Sequence, residues 1–275
     1  MSKIQIVTDS TAYLTKDEIK KYNIKVVPLM VHFQGQDNIE GSPGEFEEFF
    51  DKLKTSEDFP TTSQPSSGAF AKVFQEAIDE GKEVVTIVIS SKLSGTYNSA
   101  LIAADMVDSE KVTVIDSLTS VANLKHMAIK AHEMAKEGKT REEIEKAIED
   151  QKTKMGIYLT VGTLDYLKKG GRLSGAQAFV GTILNVKPIL KVSNGIIEPV
   201  GKVRGKKKAI EMMIKNIPEE VKTIYIPQIF NEEEALEIKA TLEKKFPKAK
   251  LEITDLGPVI GAHLGPKAVG VCFTW

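Results

Sequence analysis

The sequence predicts an α/β fold in two domains. Residues 1–155 read as a mostly parallel sheet with helices on both faces, and residues 156–275 as an α/β domain with a mixed sheet. Three observations carry this. Through the first half, short runs of β-branched residues alternate with helix-period stretches, the pattern of a parallel sheet buried on both faces. From Gly156 the grammar changes: Asn194-Gly195 stands between two strand-like runs and is a strong hairpin signal. The 275 residues also exceed the roughly 100–200 usual for one domain.

In chain order, 4–7 (IQIV) reads as a buried strand stopped by Thr8-Asp9-Ser10-Thr11. The run 25–31 (KVVPLMV) is a second strand, with Pro28 arguing for an edge position or a bulge. Between 33 and 60 the chain is loop-rich and acidic, with a short helix over 45–53. Phe70, Val73, Phe74, Ala77 and Ile78 draw an apolar helix stripe that Gly81 is placed to stop. A strand over 84–89 and the turn 90–97 lead to a helix whose inner face is expected to carry Leu101, Ala104 and Val107. A strand at 112–115 closes on Asp116-Ser117, and a helix over 120–136 ends at Gly138. Thr140 with Glu143 fits a capping box opening a helix to about 152. The polar stops 8–11, 90–96 and 116–117 then meet at the carboxyl edge of one sheet, where open α/β sheets bind ligands. The second half has strands at 157–161, 188–192, 196–203, 223–229, 250–253 and 269–273, and helices at 206–216 and 232–245.

Composition narrows the function. Lys+Arg 37 against Asp+Glu 38 leaves a net charge of −1, so no global field would hold the chain on a nucleic acid. Hydrophobic residues at 41% exclude a mainly disordered chain. The single cysteine, Cys272, forms no internal disulfide and starts no zinc or redox motif. With no signal-peptide pattern at the N-terminus, a cytoplasmic location is expected. No apolar run approaches the roughly 20 residues of a membrane span. His32, His126 and His132 have no neighbouring metal ligands, so no metal site is expected.

Four loop groups could carry chemistry. In Thr61-Thr62-Ser63-Gln64-Pro65, Ser63 or Ser66 can simply cap the next helix. Alternatively, Thr62 presents its hydroxyl, and the helix start its free N–H groups, to an anion. Ser94-Gly95-Thr96 is likewise either an ordinary cap or a set of donors that would suit a carboxylate. Lys169-Gly170-Gly171-Arg172 lacks the Walker spacing. Arg172 is then either a solvated loop arginine or a partner for an acid group. His263 sits among glycines and prolines over 257–266, a stretch read as neither regular helix nor strand. It is satisfied by backbone or donates to a carboxylate. The basic run Lys202, Arg204, Lys206, Lys207 and Lys208 is a solvated face or a dock for an anionic membrane surface. An acyl hydrolase built on Ser94 and His263 is a further reading, but 93–97 is not the G-x-S-x-G elbow and no acid is assigned to the histidine.

Together these motifs resemble the DegV family of fatty-acid-binding proteins. The resemblance rests on Val7-Thr8-Asp9-Ser10-Thr11-Ala12, Thr62-Ser63-Gln64-Pro65-Ser66, Ser90 through Tyr97, Leu167 through Arg172, Lys187-Pro188-Ile189-Leu190 and Gly261-Ala262-His263. It implies a fatty acid in a tunnel between the domains, with no cofactor, its carboxylate held by Thr62, Ser94 and His263. Ser63, Gly95 and Thr96 would be head-group neighbours. It further implies that the acid is presented to a separate fatty acid kinase ATP-binding subunit, faced by Arg172, and that the acyl phosphate is carried toward phospholipid synthesis. Where family members often read His-Thr-Gly-Pro-Gly, this chain has His263-Leu264-Gly265-Pro266-Lys267, and Asp is common where Ile39-Glu40-Gly41 stands.

Overall fold

The computed structural model describes residues 3–173 and 186–275. Its strands are β1 (Ile4–Asp9), β2 (Lys25–Val27), β3 (Met30–Phe33), β4 (Gln36–Ile39), β5 (Thr61–Ser63), β6 (Glu83–Val88), β7 (Val112–Asp116), β8 (Met155–Thr160), β9 (Val186–Ser193), β10 (Ile196–Arg204), β11 (Thr223–Gln228), β12 (Lys250–Asp255) and β13 (Val269–Thr274). The helices are α1 (Lys16–Tyr22), α2 (Glu47–Thr55), α3 (Ser67–Asp79), α4 (Thr96–Val107), α5 (Val121–Lys136), α6 (Arg141–Gln151), α7 (Asp165–Lys169), α8 (Lys206–Ile214), α9 (Glu232–Lys245) and α10 (Pro258–Leu264). No helix among the described residues is long and apolar enough to cross a membrane.

The first sheet has the order β2-β1-β6-β7 and is parallel throughout. Alternation along β1 sends Ile4 and Ile6 to a core with α5 and α6, and Val7 to a core with α3 and α4. The second sheet has the order β10-β9-β8-β13-β11-β12, with only β11 and β12 parallel. Its hairpin turns at Asn194 (φ 48°) and Gly195 (φ 81°), the left-handed pair a two-residue turn demands. Thr140 and Glu143 make both bonds of the capping box.

Three departures from the sequence reading shape the fold around the seam between the two sheets. The run 25–31 is not one strand: β2 ends at Val27 and β3 begins at Met30, in a different sheet. Pro28 has no N–H to continue a ladder, and the Leu29 N–H donates to Ser10 Oγ at 3.1 Å. β3 instead joins a three-stranded antiparallel sheet, β4-β3-β5, that was read as loop. On α4 the inner face is Ala100, Ala103 and Ala104, while Leu101 is exposed, because α4 lies close against α3. The third departure is α10, a helix where none was expected. Pro258 sits in its first turn, where a missing N–H costs nothing, and Gly265 (φ 70°) ends it.

The small sheet explains where the functional core lies. One face of the mixed sheet is covered by α8 and α9. The other face, with Ile157, Leu159, Leu190, Tyr225 and Cys272, packs against Leu29, Val31, Phe33, Phe46, Phe50 and Leu53 from the first half of the chain. α10 is pressed into this seam. A Cβ at Gly261 would lie 2.5 Å from the Phe50 ring, so only glycine lets the helix approach. Gly261→Ala is expected to lower stability by about 1–3 kcal/mol through overpacking; an unchanged urea midpoint would contradict the close approach.

Candidate functional site: an apolar cavity with a polar head

Between the mixed sheet and the elements covering it lies a narrow cavity. Most of its wall is apolar: Leu29, Ile89, Leu93, Val121, Ile157, Leu159, Val192, Ile197, Leu256, Val259, Leu264 and Cys272 all contribute. The polar side chains in the lining are Thr62, Ser94, Ser120, Arg172 and His263. Four residues singled out in the sequence as separate loop groups are thereby brought into one wall, with both halves of the chain represented.

Each is held by a different device. Thr62 is the middle residue of β5, paired with Val31 on β3, so its side chain is aimed by the strand. The expected helix entrance at Thr62 is not there: α3 starts at Ser67, capped by Ser66 Oγ, which accepts from the Ala69 N–H at 3.2 Å. Ser94 precedes α4, and its Oγ lies 2.8 Å from Thr96 Oγ1. His263 rides on the last turn of α10, and its Nε2 meets Thr62 Oγ1 at 2.8 Å. Arg172 follows α7 and is no free loop side chain: its Nε donates to the Leu93 carbonyl at 3.1 Å, and Nη1 donates to that of Gly170.

The head-group neighbours fall elsewhere. Along β5 successive side chains point to opposite faces, so Ser63 turns away from the Thr62 side and its Oγ contacts His32 instead. A Cβ at Gly95 would collide with the Gln64 side chain, 1.9 Å away. Thr96 is buried and serves Ser94. None of the three lines the cavity.

The chemistry follows from charge. Burial, and secondarily the Arg172 cation, push the His263 imidazole down to about 4, so the ring is neutral at pH 7. Its Nδ1 is buried with no partner among the described residues. The tautomer with hydrogen on Nε2 leaves only a lone pair at Nδ1 and donates to Thr62 Oγ1. The Thr62 hydroxyl hydrogen is then free to point at a ligand oxygen. A mostly apolar cavity whose lining also holds hydroxyls, a neutral imidazole and the Arg172 side chain suits an amphiphile with an anionic head. The described contacts give the Ser94–His263 hydrolase no relay, since His263 bonds Thr62, Ser94 bonds Thr96, and no carboxylate orients Nδ1.

Two carboxylates near this wall, Asp9 and Glu40, are buried, a placement that the sequence reading did not give them. Asp9 accepts from the N–H groups of Thr11 at 2.9 Å and Ile89 at 2.6 Å, holding the carboxyl edge of the first sheet together. Glu40 accepts from Ser10 Oγ at 2.5 Å, the Tyr13 hydroxyl at 3.2 Å and the Val259 N–H at 2.8 Å. It thus ties that edge to the start of α10. Burial pushes Asp9 up to about 6 and Glu40 up to about 7. Glu40 is buried although residues 34–39 and Gly41 on either side of it are exposed, so no local pattern marks it.

Comparison with known proteins agrees with the fold and the motifs. The family model described as an uncharacterised protein of the DegV family matches residues 3–274. Protein DegV of Bacillus subtilis is 37% identical over 279 residues, covering 98% of each chain. The crystal structure of the Bacillus subtilis DegV, described as a fatty acid binding protein, superposes with a TM-score of 0.89 at 36% identity, covering 100% of both chains. A structure described as showing fatty acid binding of a DegV family protein from Thermus thermophilus gives 0.90 at 35%, again covering 100% of both. The chain belongs to the DegV family.

Glu40 makes a pH prediction. Its carboxyl loses its proton at about 7 in the fold against 4.5 ordinarily, so the native state keeps a proton that the unfolded chain has released. Stability therefore falls as pH rises from about 4.5 to 7, by about 3 kcal/mol for this group. Glu40→Gln should flatten that decline in urea titrations at pH 5 and 7.5; a variant retaining the full wild-type decline would show that Glu40 does not cause it.

Proposed function

We propose that this protein binds one long-chain fatty acid, its tail in the apolar cavity and its carboxylate held by Thr62, Ser94 and His263, the imidazole acting through the Thr62 hydroxyl that it orients. The single observation that carries the reading is that Thr62, Ser94 and His263 all line one mostly apolar cavity, with Thr62 and His263 in hydrogen-bond contact. Relatives covering the whole chain and described as fatty acid binding proteins support it. About fourteen methylenes at about 0.8 kcal/mol each supply on the order of 11 kcal/mol gross, before the cost of ordering ligand and protein. The hydroxyls and neutral imidazole orient the head without an unpaired lysine having to be desolvated.

In the same proposal the protein is a carrier in the cytoplasm, non-catalytic toward the lipid it holds, built as two domains dividing near residue 155 with the tunnel between them. It presents the carboxylate to a separate fatty acid kinase ATP-binding subunit and carries the acyl phosphate toward phospholipid synthesis. Arg172, bonded at the turn over Leu93, is the side chain closest in kind to what such a partner would read. Lys202 and Arg204 stand exposed on the edge strand β10 and suit transient contact with an anionic membrane surface.

Denaturing extraction and mass spectrometry of the purified protein should release a non-covalent fatty acid. A delipidated sample that never takes one up would defeat the reading. Thr62→Val and Ser94→Ala each remove a hydroxyl worth about 1–1.5 kcal/mol and should weaken fatty acid binding about fivefold to tenfold. Unchanged affinity in calorimetric titration would take that hydroxyl out of the site.

A further inference from the structure

The three-stranded sheet carries a second constellation that lipid binding does not use. His32 lies on the central strand β3, directly opposite Asp37 on β4, with Ser63 diagonal to it on β5. Its Nδ1 is 2.7 Å from Asp37 Oδ1 and its Nε2 is 2.9 Å from Ser63 Oγ. The roles follow from counting donors. A carboxylate oxygen accepts, so the contact with Asp37 places a ring hydrogen on Nδ1. Nε2 is left with a lone pair, and the Ser63 hydroxyl donates into it. That is the order of nucleophile, base and orienting acid found in serine acyl-transfer sites. Strand pairing on both sides of β3 fixes the spacing. The His32 and Asp37 side chains are 33% and 68% exposed, so a small molecule can reach the relay from solvent.

We propose that Ser63 is an activated nucleophile that accepts acyl groups from small activated esters, with His32 as its base and Asp37 orienting that base. Ser63 Oγ attacks the carbonyl carbon as its proton passes to His32 Nε2. The bond from that carbon to the leaving aryloxide breaks, and the imidazolium returns the proton to the aryloxide. Ser63 then carries the acyl group as an ester. Water, deprotonated by His32, attacks that ester to release the acid and restore the hydroxyl. Because Asp37 faces water, its field is screened and turnover is slow compared with a buried triad. The site is separate from Ser94 and His263, so it stands or falls independently of lipid binding.

Labelling of the full chain with an alkyl fluorophosphonate, which phosphonylates such a serine with loss of fluoride, tests this by peptide mapping. One adduct is expected, on Ser63, and none in Ser63→Ala. His32→Gln removes the base, and Asp37→Asn frees the ring to take the wrong tautomer; each should slow labelling at least about tenfold. Asp37 is exposed on an outer strand, so its variant keeps the test valid if His32→Gln fails to fold, which circular dichroism reports. Absence of an adduct on Ser63, labelling at Ser94 instead, or a rate unchanged in Asp37→Asn would overturn the proposal.

Discussion

Thr62 and His263 are 201 residues apart in the chain and 2.8 Å apart in space, and the organisation of the cavity depends on that closure. An apolar hollow in water persists only where rigid surfaces from distant parts of a chain are held over it. Here β5 supplies one side and α10 the other. β5 is aimed by its pairing to β3. α10 is seated by the Phe50–Gly261 contact and by Glu40, which accepts from the Val259 N–H at its first turn. The hydroxyl and the imidazole meet because two unrelated packing problems are solved at one seam.

The same seam governs the charges. Burying polar groups costs free energy unless each finds a partner; around the cavity His263 and Glu40 meet that cost near neutrality, and the Arg172 guanidinium by donating to two backbone carbonyls. His263 is kept uncharged by burial and by Arg172, and Glu40 is held close to neutrality by burial while accepting three hydrogen bonds. Leu264, next to His263, adds to the apolar wall. An anionic head entering this cavity meets donors without meeting a competing carboxylate in the lining.

Much of the fold could be read from local signals. The capping box at Thr140, the Asn194-Gly195 turn and the stops at Gly81 and Gly138 act through their own neighbours, and each appears in the structure. What escaped depended on distant contacts or on a single residue of register. The β4-β3-β5 sheet has strands of three or four residues, too short for a period to show, although its tight turn at Gln34 (φ 51°) and Gly35 (φ 73°) is a local cue. α10 was hidden by its glycines, which serve packing against Phe50 and Tyr166 rather than disorder of the chain. Thr62, Ser94 and His263 were legible as hydroxyls and a loop histidine. That Thr62 rather than Ser63 faces the cavity is settled by strand alternation, which a segment read as a helix entrance could not reveal.

The most direct measurement is a crystal structure of the protein loaded with a long-chain fatty acid. The account predicts continuous density along the apolar lining, with a carboxylate oxygen within hydrogen-bond distance of Thr62 Oγ1 and Ser94 Oγ. Lipid bound outside this cavity, or lying in it with its carboxylate at the opposite end from Thr62, would contradict it.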